Sequence, residues 1–145
     1  MGGKRGRKLA GLALAAVLLL PGLLGGCGKP GYRDGVYTGR SGEDDTGAWG
    51  EVTITIAGER IADCRFVTWQ KDGTAKGEDY GKVNGEISNQ DFYSKAQLAV
   101  RAMEAYAAAC REAGDLKKVE AVSGATIAYD QFLEAAEAAL EKAAK

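Results

Sequence analysis

Glu51-Val52-Thr53-Ile54-Thr55-Ile56-Ala57-Gly58-Glu59-Arg60-Ile61 is the stretch whose reading decides how this chain of 145 residues folds. Val52, Ile54 and Ile56 alternate with Thr53 and Thr55, the period of two that marks a strand with one buried face. Ala57-Gly58-Glu59-Arg60 supplies a turn, and Ile61 to Trp69 reads as the returning strand, with Cys64 and Phe66 on one face. The centre of the fold is therefore an antiparallel hairpin over about residues 51–69.

Toward the N-terminus, Gly35-Val36-Tyr37-Thr38 reads as a short first strand, and a polar loop from Gly39 to Gly47 leads to Ala48-Trp49-Gly50. Beyond the hairpin, Gln70 to Asn89 is polar and glycine-rich, and a loop this long in a small domain is usually functional or disordered. Phe92, Ala96, Ala99, Met103, Tyr106 and Cys110 then fall on one helical stripe. Ser88 or Asn89 as N-cap and Gly114 as stop predict a helix over about 90–113. Val119 to Val122 reads as a short strand, and a last helix over about 127–143 buries Phe132, Leu133, Ala136 and Leu140. The expected fold is α+β, a small antiparallel sheet packed against two helices.

Residues 1–26 read as an export signal: Lys4, Arg5, Arg7 and Lys8 precede an apolar run of twelve residues, Leu9 to Leu20. Twelve is too short to span a bilayer, which takes ~20 apolar residues. Leu24-Gly25-Gly26-Cys27 looks like a bacterial lipobox, with Cys27 acylated, residues 27–31 as a tether and 32–145 as one domain. That places the protein on the extracytoplasmic face of the cell membrane, held by its lipid anchor. The mature part carries fifteen basic and twenty acidic residues, a net charge of −5, and the basic cluster is confined to the signal, so nothing points to nucleic acid. The chain has no histidine, which excludes His-ligated zinc, Cys-x-x-Cys-His haem attachment and any Ser-His-Asp or Cys-His pair. No metal site and no catalytic residue is expected. Cys64 and Cys110 are either a disulfide pair or buried thiols acting as small hydrophobes.

The stretch that bears on function is Ser123-Gly124-Ala125-Thr126, reached through Val119-Glu120-Ala121-Val122 and followed by the last helix. A threonine hydroxyl is a weak nucleophile and needs an outside catalyst or a nearby base to attack phosphorus. Gly124 and Ala125 keep the neighbouring backbone bare, and the helix start beside Thr126 suits a phosphate. The same residues also allow a plainer role, in which Ser123 or Thr126 caps the helix.

This tetrapeptide resembles the flavinylation motif of the FMN-binding domain family, in whose members the final threonine carries FMN through a phosphoester bond. Asp34-Gly35-Val36-Tyr37-Thr38-Gly39, Trp49-Gly50 with the hairpin, Lys76-Gly77-Glu78-Asp79-Tyr80-Gly81 and Tyr129-Asp130-Gln131-Phe132 are also similar to the family's small lipoprotein branch in Gram-positive bacteria. The resemblance covers nearly all of residues 32–143, with one departure: Glu120 stands where the motif usually has aspartate. It implies that a separate FMN transferase moves FMN from FAD onto Thr126, and that the product takes electrons from a membrane donor. It further implies an electron carrier in extracellular or respiratory electron transfer rather than an enzyme with its own substrate. Thr126, Ser123, Gly124, Ala125 and Glu120 would form the attachment site. Trp49, Trp69, Tyr80 and Tyr129 are candidates to flank the ring, Tyr129 and Trp49 foremost, and Lys76 or Lys82 to neutralise its charge. The alternatives are a lipoprotein that binds flavin or another planar ligand without a covalent bond, and a non-redox surface lipoprotein.

Overall fold

The computed structural model describes residues 31–145, so the stretch read as a signal peptide and lipobox, with Cys27, lies outside the described residues. Three strands, β1 (Gly35–Glu43), β2 (Trp49–Ala57) and β3 (Arg60–Trp69), form an antiparallel sheet in the order β1-β2-β3. Two long helices follow, α1 (Gln90–Ala113) and α2 (Thr126–Ala143), giving the α+β architecture that the residue patterns predict. α1 packs on β3, while α2 packs on β1 and β2. Val52, Ile54 and Ile56 point into the core with Cys64 and Phe66, so the period of two holds.

The hairpin turn is Gly58-Glu59, both with positive φ (59° and 63°). Such primed turns match the twist of the strands they join. Glu59 is not a glycine, and its unusual backbone is held from two sides: its N–H donates to Asp34 Oδ1 and its carboxylate pairs with Lys145.

Two expectations differ in detail. β1 runs on through Glu43, with a register shift between Arg40 and Glu43, where the sequence suggests a loop from Gly39. Gly39 and Gly42 carry no strand signal of their own, yet Gly39 is where α2 crosses the sheet. A Cβ there would lie 2.0 Å from Ala135 O and 2.4 Å from Ala139 N, both backbone atoms of α2. Second, Val119 to Val122 forms no strand; a 3₁₀ turn (Leu116–Lys118) leads into an irregular arm.

The helices begin and end as expected. The Asn89 side chain accepts from Phe92 N at 2.9 Å to cap α1, and Gly114 stops it in the left-handed conformation at φ 61°. The buried stripe of α1 starts only at Ala96, leaving Phe92 54 % exposed. The preceding loop packs on Tyr93, Ala96 and Gln97 instead: the Gln97 amide donates to Gly77 O, Glu78 O and Tyr80 O, and the Tyr93 hydroxyl donates to Glu78 O. The middle of the segment from Gln70 to Asn89, residues 77–81, is thus pinned to α1. α2 buries Phe132 and Ala136, but its remaining buried positions are mostly alanines, and Leu133 and Leu140 are only half-buried. Cys64 and Cys110 are free, buried thiols; the Cys110 thiol and burial together push the Cys64 thiol up from its ordinary pKa.

The chain ends are tied together. Arg33 N–H donates to Ala143 O at 2.8 Å, Lys145 N–H donates to Gly31 O at 3.0 Å, and Tyr32 bridges Ala144.

Because Gly39 is in contact with helix backbone rather than with a yielding side chain, Gly39→Ala is expected to destabilise the fold by about 3 kcal/mol. Chemical denaturation checks this; a loss below about 1 kcal/mol would show that α2 can ride up at little cost.

Candidate functional site

The arm from Val119 to Ala125 lacks a neighbouring strand, so its polar backbone groups need other partners. Two tyrosines provide them. Tyr106, on α1 and 1 % exposed, has a hydroxyl that accepts from Val122 N at 2.9 Å and donates to Ala125 O at 3.2 Å. One oxygen therefore grips both ends of the turn that holds Ser123 and Gly124. Tyr129, on α2, donates its hydroxyl to Val119 O at 2.9 Å, and the two rings lie 5.3 Å apart. Gly124 has φ 83°, a left-handed turn that favours glycine, which is a backbone reason for its place in the tetrapeptide.

This turn delivers Thr126 as the first residue of α2, with its side chain exposed. The N-cap is Ala125, and no side chain caps the helix. Neither Ser123 nor Thr126 takes the capping role that their residue types allow. The N–H groups of the first turn are left facing outward, with the positive end of the helix dipole.

A cavity of about 280 Å³ opens beside Thr126. α2 contributes Ala128 and Gln131, α1 contributes Ala99 and Met103, β3 contributes Thr68, and the pinned loop contributes Lys76 and Tyr80. Two polar side chains in its wall are buried without a full set of partners. Thr68 is 1 % exposed and its Oγ1 has no hydrogen bond; Gln131 is 6 % exposed and its Oε1 has none. The Gln131 Nε2 donates to Ala48 O at 3.0 Å and to Asp44 Oδ2 at 3.4 Å. Both of those partners are acceptors, so the amide must present nitrogen to them and leave its oxygen unpaired.

Charge at the cavity comes from Asp44 and Lys76. Asp44 Oδ1 accepts from Thr46 N, Thr46 Oγ1 and Ala48 N, while Lys76 Nζ lies 4.0 Å from Asp44 Oδ2 and 4.9 Å from the centre of the Tyr80 ring. Burial works to raise the Asp44 pKa. The Thr46 hydroxyl, the Ala48 and Thr46 amides and the Lys76 charge outweigh it and hold the carboxyl below its ordinary value.

The structure therefore brings Thr126, Gly124, Ala125, Lys76 and Tyr80 to one cavity. Ser123 sits in the turn, and Glu120 is exposed on the arm. Trp49 and Tyr129, favoured as ring-flanking residues, are not at this cavity. Trp49 stacks on Trp69 at 5.9 Å with the Arg40 guanidinium 3.9 Å above its ring, opposite the face on which Gly50 meets α2. Tyr129 is occupied with Val119 and lines a second groove, which runs along α2 from Tyr129 to Ala144. Lys82 is paired with Asp79 at 2.8 Å. Thr68 and Tyr106 lie in no motif, and Gln131 lies in the Tyr129-Asp130-Gln131-Phe132 stretch without being singled out there; the signals open to a reader of the sequence are a polar residue on the buried face of β3, a glutamine on the core face of α2, and a core tyrosine whose hydroxyl needs a partner.

A family model described as FMN-binding domain matches residues 47–141. The matched span contains the hairpin, α1, the whole tetrapeptide and all but the last two residues of α2, and it leaves out the Asp34–Gly39 opening. Among solved structures, the crystal structure of the CPE2226 protein from Clostridium perfringens is similar at a TM-score of 0.60 and 19% identity, over 77% of this chain and 88% of that one. At that identity the likeness speaks to the fold alone. No curated protein matches the chain significantly.

Removing the Tyr106 hydroxyl strands Val122 N–H and Ala125 O, so Tyr106→Phe is expected to cost about 1–2 kcal/mol of stability, measured by urea unfolding. The lowered Asp44 pKa gives a second expectation. Its stabilising share is present above its unfolded value near pH 4 and is lost as pH falls through the folded value. The unfolding free energy of the parent should therefore drop in acid, and Asp44→Asn should be less stable at pH 7 but converge on the parent as pH falls through the lowered folded value. A constant gap across that range would show that the carboxylate charge is irrelevant.

Proposed function

Since this chain belongs to the FMN-binding domain family, we propose that it is an electron carrier with FMN attached to Thr126 through a phosphoester, held on the extracytoplasmic membrane face by a lipid on Cys27. The observation that carries this reading is the exposed Thr126 hydroxyl at the uncapped start of α2, beside a cavity whose wall holds unpaired buried polar atoms. A structural helix cap would have used that hydroxyl, and a purely structural cavity would be lined by satisfied or apolar groups.

The residues fit the group. The free N–H groups of the first turn of α2 suit a phosphoryl ester at position 126. Met103, Ala99 and the Tyr80 ring give the cavity apolar surface for a flat ring, and Lys76 brings positive charge that favours electron-rich ligands. When bound, FMN supplies reversible electron transfer. The chain's own part is to fix the attachment point, through the grip of Tyr106 on the turn, and to set the surroundings of the ring. Glu120 is exposed on the arm, where an FMN transferase can reach it as readily as the usual aspartate.

Covalent attachment suits an exported carrier, since a dissociating cofactor would be diluted away outside the cell. The lipid anchor rests on the Leu24-Gly25-Gly26-Cys27 stretch and would keep the carrier near a membrane electron donor.

Intact mass spectrometry of protein co-expressed with an FMN transferase tests both attachments. The parent should gain one FMN less water, Thr126→Val should gain none, and Cys27→Ser should lose the acyl mass while keeping the flavin. An unmodified Thr126, under conditions that label a known acceptor, would sink the covalent reading.

A further inference from the structure

The two unpaired atoms in the cavity wall differ in what they ask for. Gln131 Oε1 is an acceptor only, because the amide nitrogen is committed to Ala48 O and Asp44 Oδ2. Thr68 Oγ1 carries a hydroxyl that can donate. Lys76 Nζ donates only; its Asp44 partner stands at 4.0 Å, at the limit of an ion pair, and its side chain is 11 % exposed. The wall therefore offers one buried acceptor together with two donors. Burying the Thr68 hydroxyl and the Gln131 oxygen without partners is costly, so their presence in one cavity, beside a lysine, points to a ligand that satisfies them.

We propose that this wall is a socket for a cyclic imide edge, with Gln131 Oε1 accepting the imide N–H while the Thr68 hydroxyl and the Lys76 ammonium donate to its flanking carbonyls. A cyclic imide presents carbonyl, N–H, carbonyl in a row, the complement of this donor–acceptor set. The pyrimidine edge of a flavin ring has that pattern, so the inference rests on the flavin reading above and adds which residues hold the ring and by which edge. Asp44 acts as a positioning residue. Its Oδ1 is filled by Thr46 and Ala48, and its Oδ2 orients the Gln131 amide and faces Lys76. Gln131 is itself fixed by the fold, since its Cβ and carbonyl lie against Gly50 of β2.

Full-length protein purified without an FMN transferase, so that Thr126 is free, is titrated with lumiflavin and with its imide N-methyl derivative. Flavin fluorescence reads the binding. Methylation replaces the imide N–H with a methyl group that cannot donate to Gln131 Oε1 and crowds it, so the parent should bind lumiflavin about tenfold more tightly than the methylated probe. Gln131→Met should bring the two probes within about twofold of each other. Thr68→Val, a substitution of matched shape, should weaken both probes and leave their ratio unchanged. Equal affinity of the parent for both probes, or no binding of lumiflavin, overturns the socket. The two readings fail separately: a flavinylated Thr126 without imide discrimination removes the socket alone, and discrimination with an unmodified Thr126 removes the covalent bond alone.

Discussion

The contact between α2 and two glycines of the sheet is the constraint on which the rest depends. Gly39 of β1 lies under the backbone of Ala135 and Ala139, where a Cβ would overlap the helix, and Gly50 of β2 lies under Gln131, where a Cβ would press on Phe66 at 2.9 Å and on Gln131 at 3.1 Å. Ala135, Ala136, Ala139 and Ala143 are fully buried on that helix face. With small residues on both sides, helix and sheet approach more closely than leucines would permit, and a close-packed interior results. The consequence reaches the site, because α2 carries Thr126 at its first residue and Gln131 little more than a turn later. Moving the helix outward would move Thr126 and the cavity wall together.

The elements with strong periodicity were legible in the sequence. The alternation of Val52, Ile54 and Ile56 announced the hairpin, and Asn89 and Gly114 bounded α1 where caps belong. The parts that were not legible owe their conformation to distant partners. The second half of β1 is rich in glycine and charge and is strand only because β2 pairs with it. The Val119–Val122 arm has strand-like residues, but no strand lies beside it, and tyrosine hydroxyls from both helices take its hydrogen bonds instead. The leucines of α2 suggested the core face by hydrophobicity, yet the alanines take it, because the sheet beneath carries glycine.

At the site, a linear motif gave Thr126 and its neighbours, and the Lys76–Gly81 stretch gave the loop residues that meet them. Trp49 and Tyr129 were attractive as flat aromatic faces, but aromatics are used throughout a core, and here they pack on Trp69 and support the arm. Thr68 and Gln131 were hidden for a different reason. A polar residue on a buried face becomes informative only once its partners can be counted, and that count needs coordinates. Tyr106 read correctly as core; the work of its hydroxyl depends on a segment sixteen residues further along.

The tie between the two chain ends has a geometric outcome. Gly31 to Arg33 is fastened to Ala143, Ala144 and Lys145, at the far end of α2 from Thr126. Eighteen helical residues put those two poles about 25 Å apart. Whatever continues the chain beyond Gly31 therefore departs from the pole opposite position 126, and the start of α2 stays clear of it by the full length of the helix.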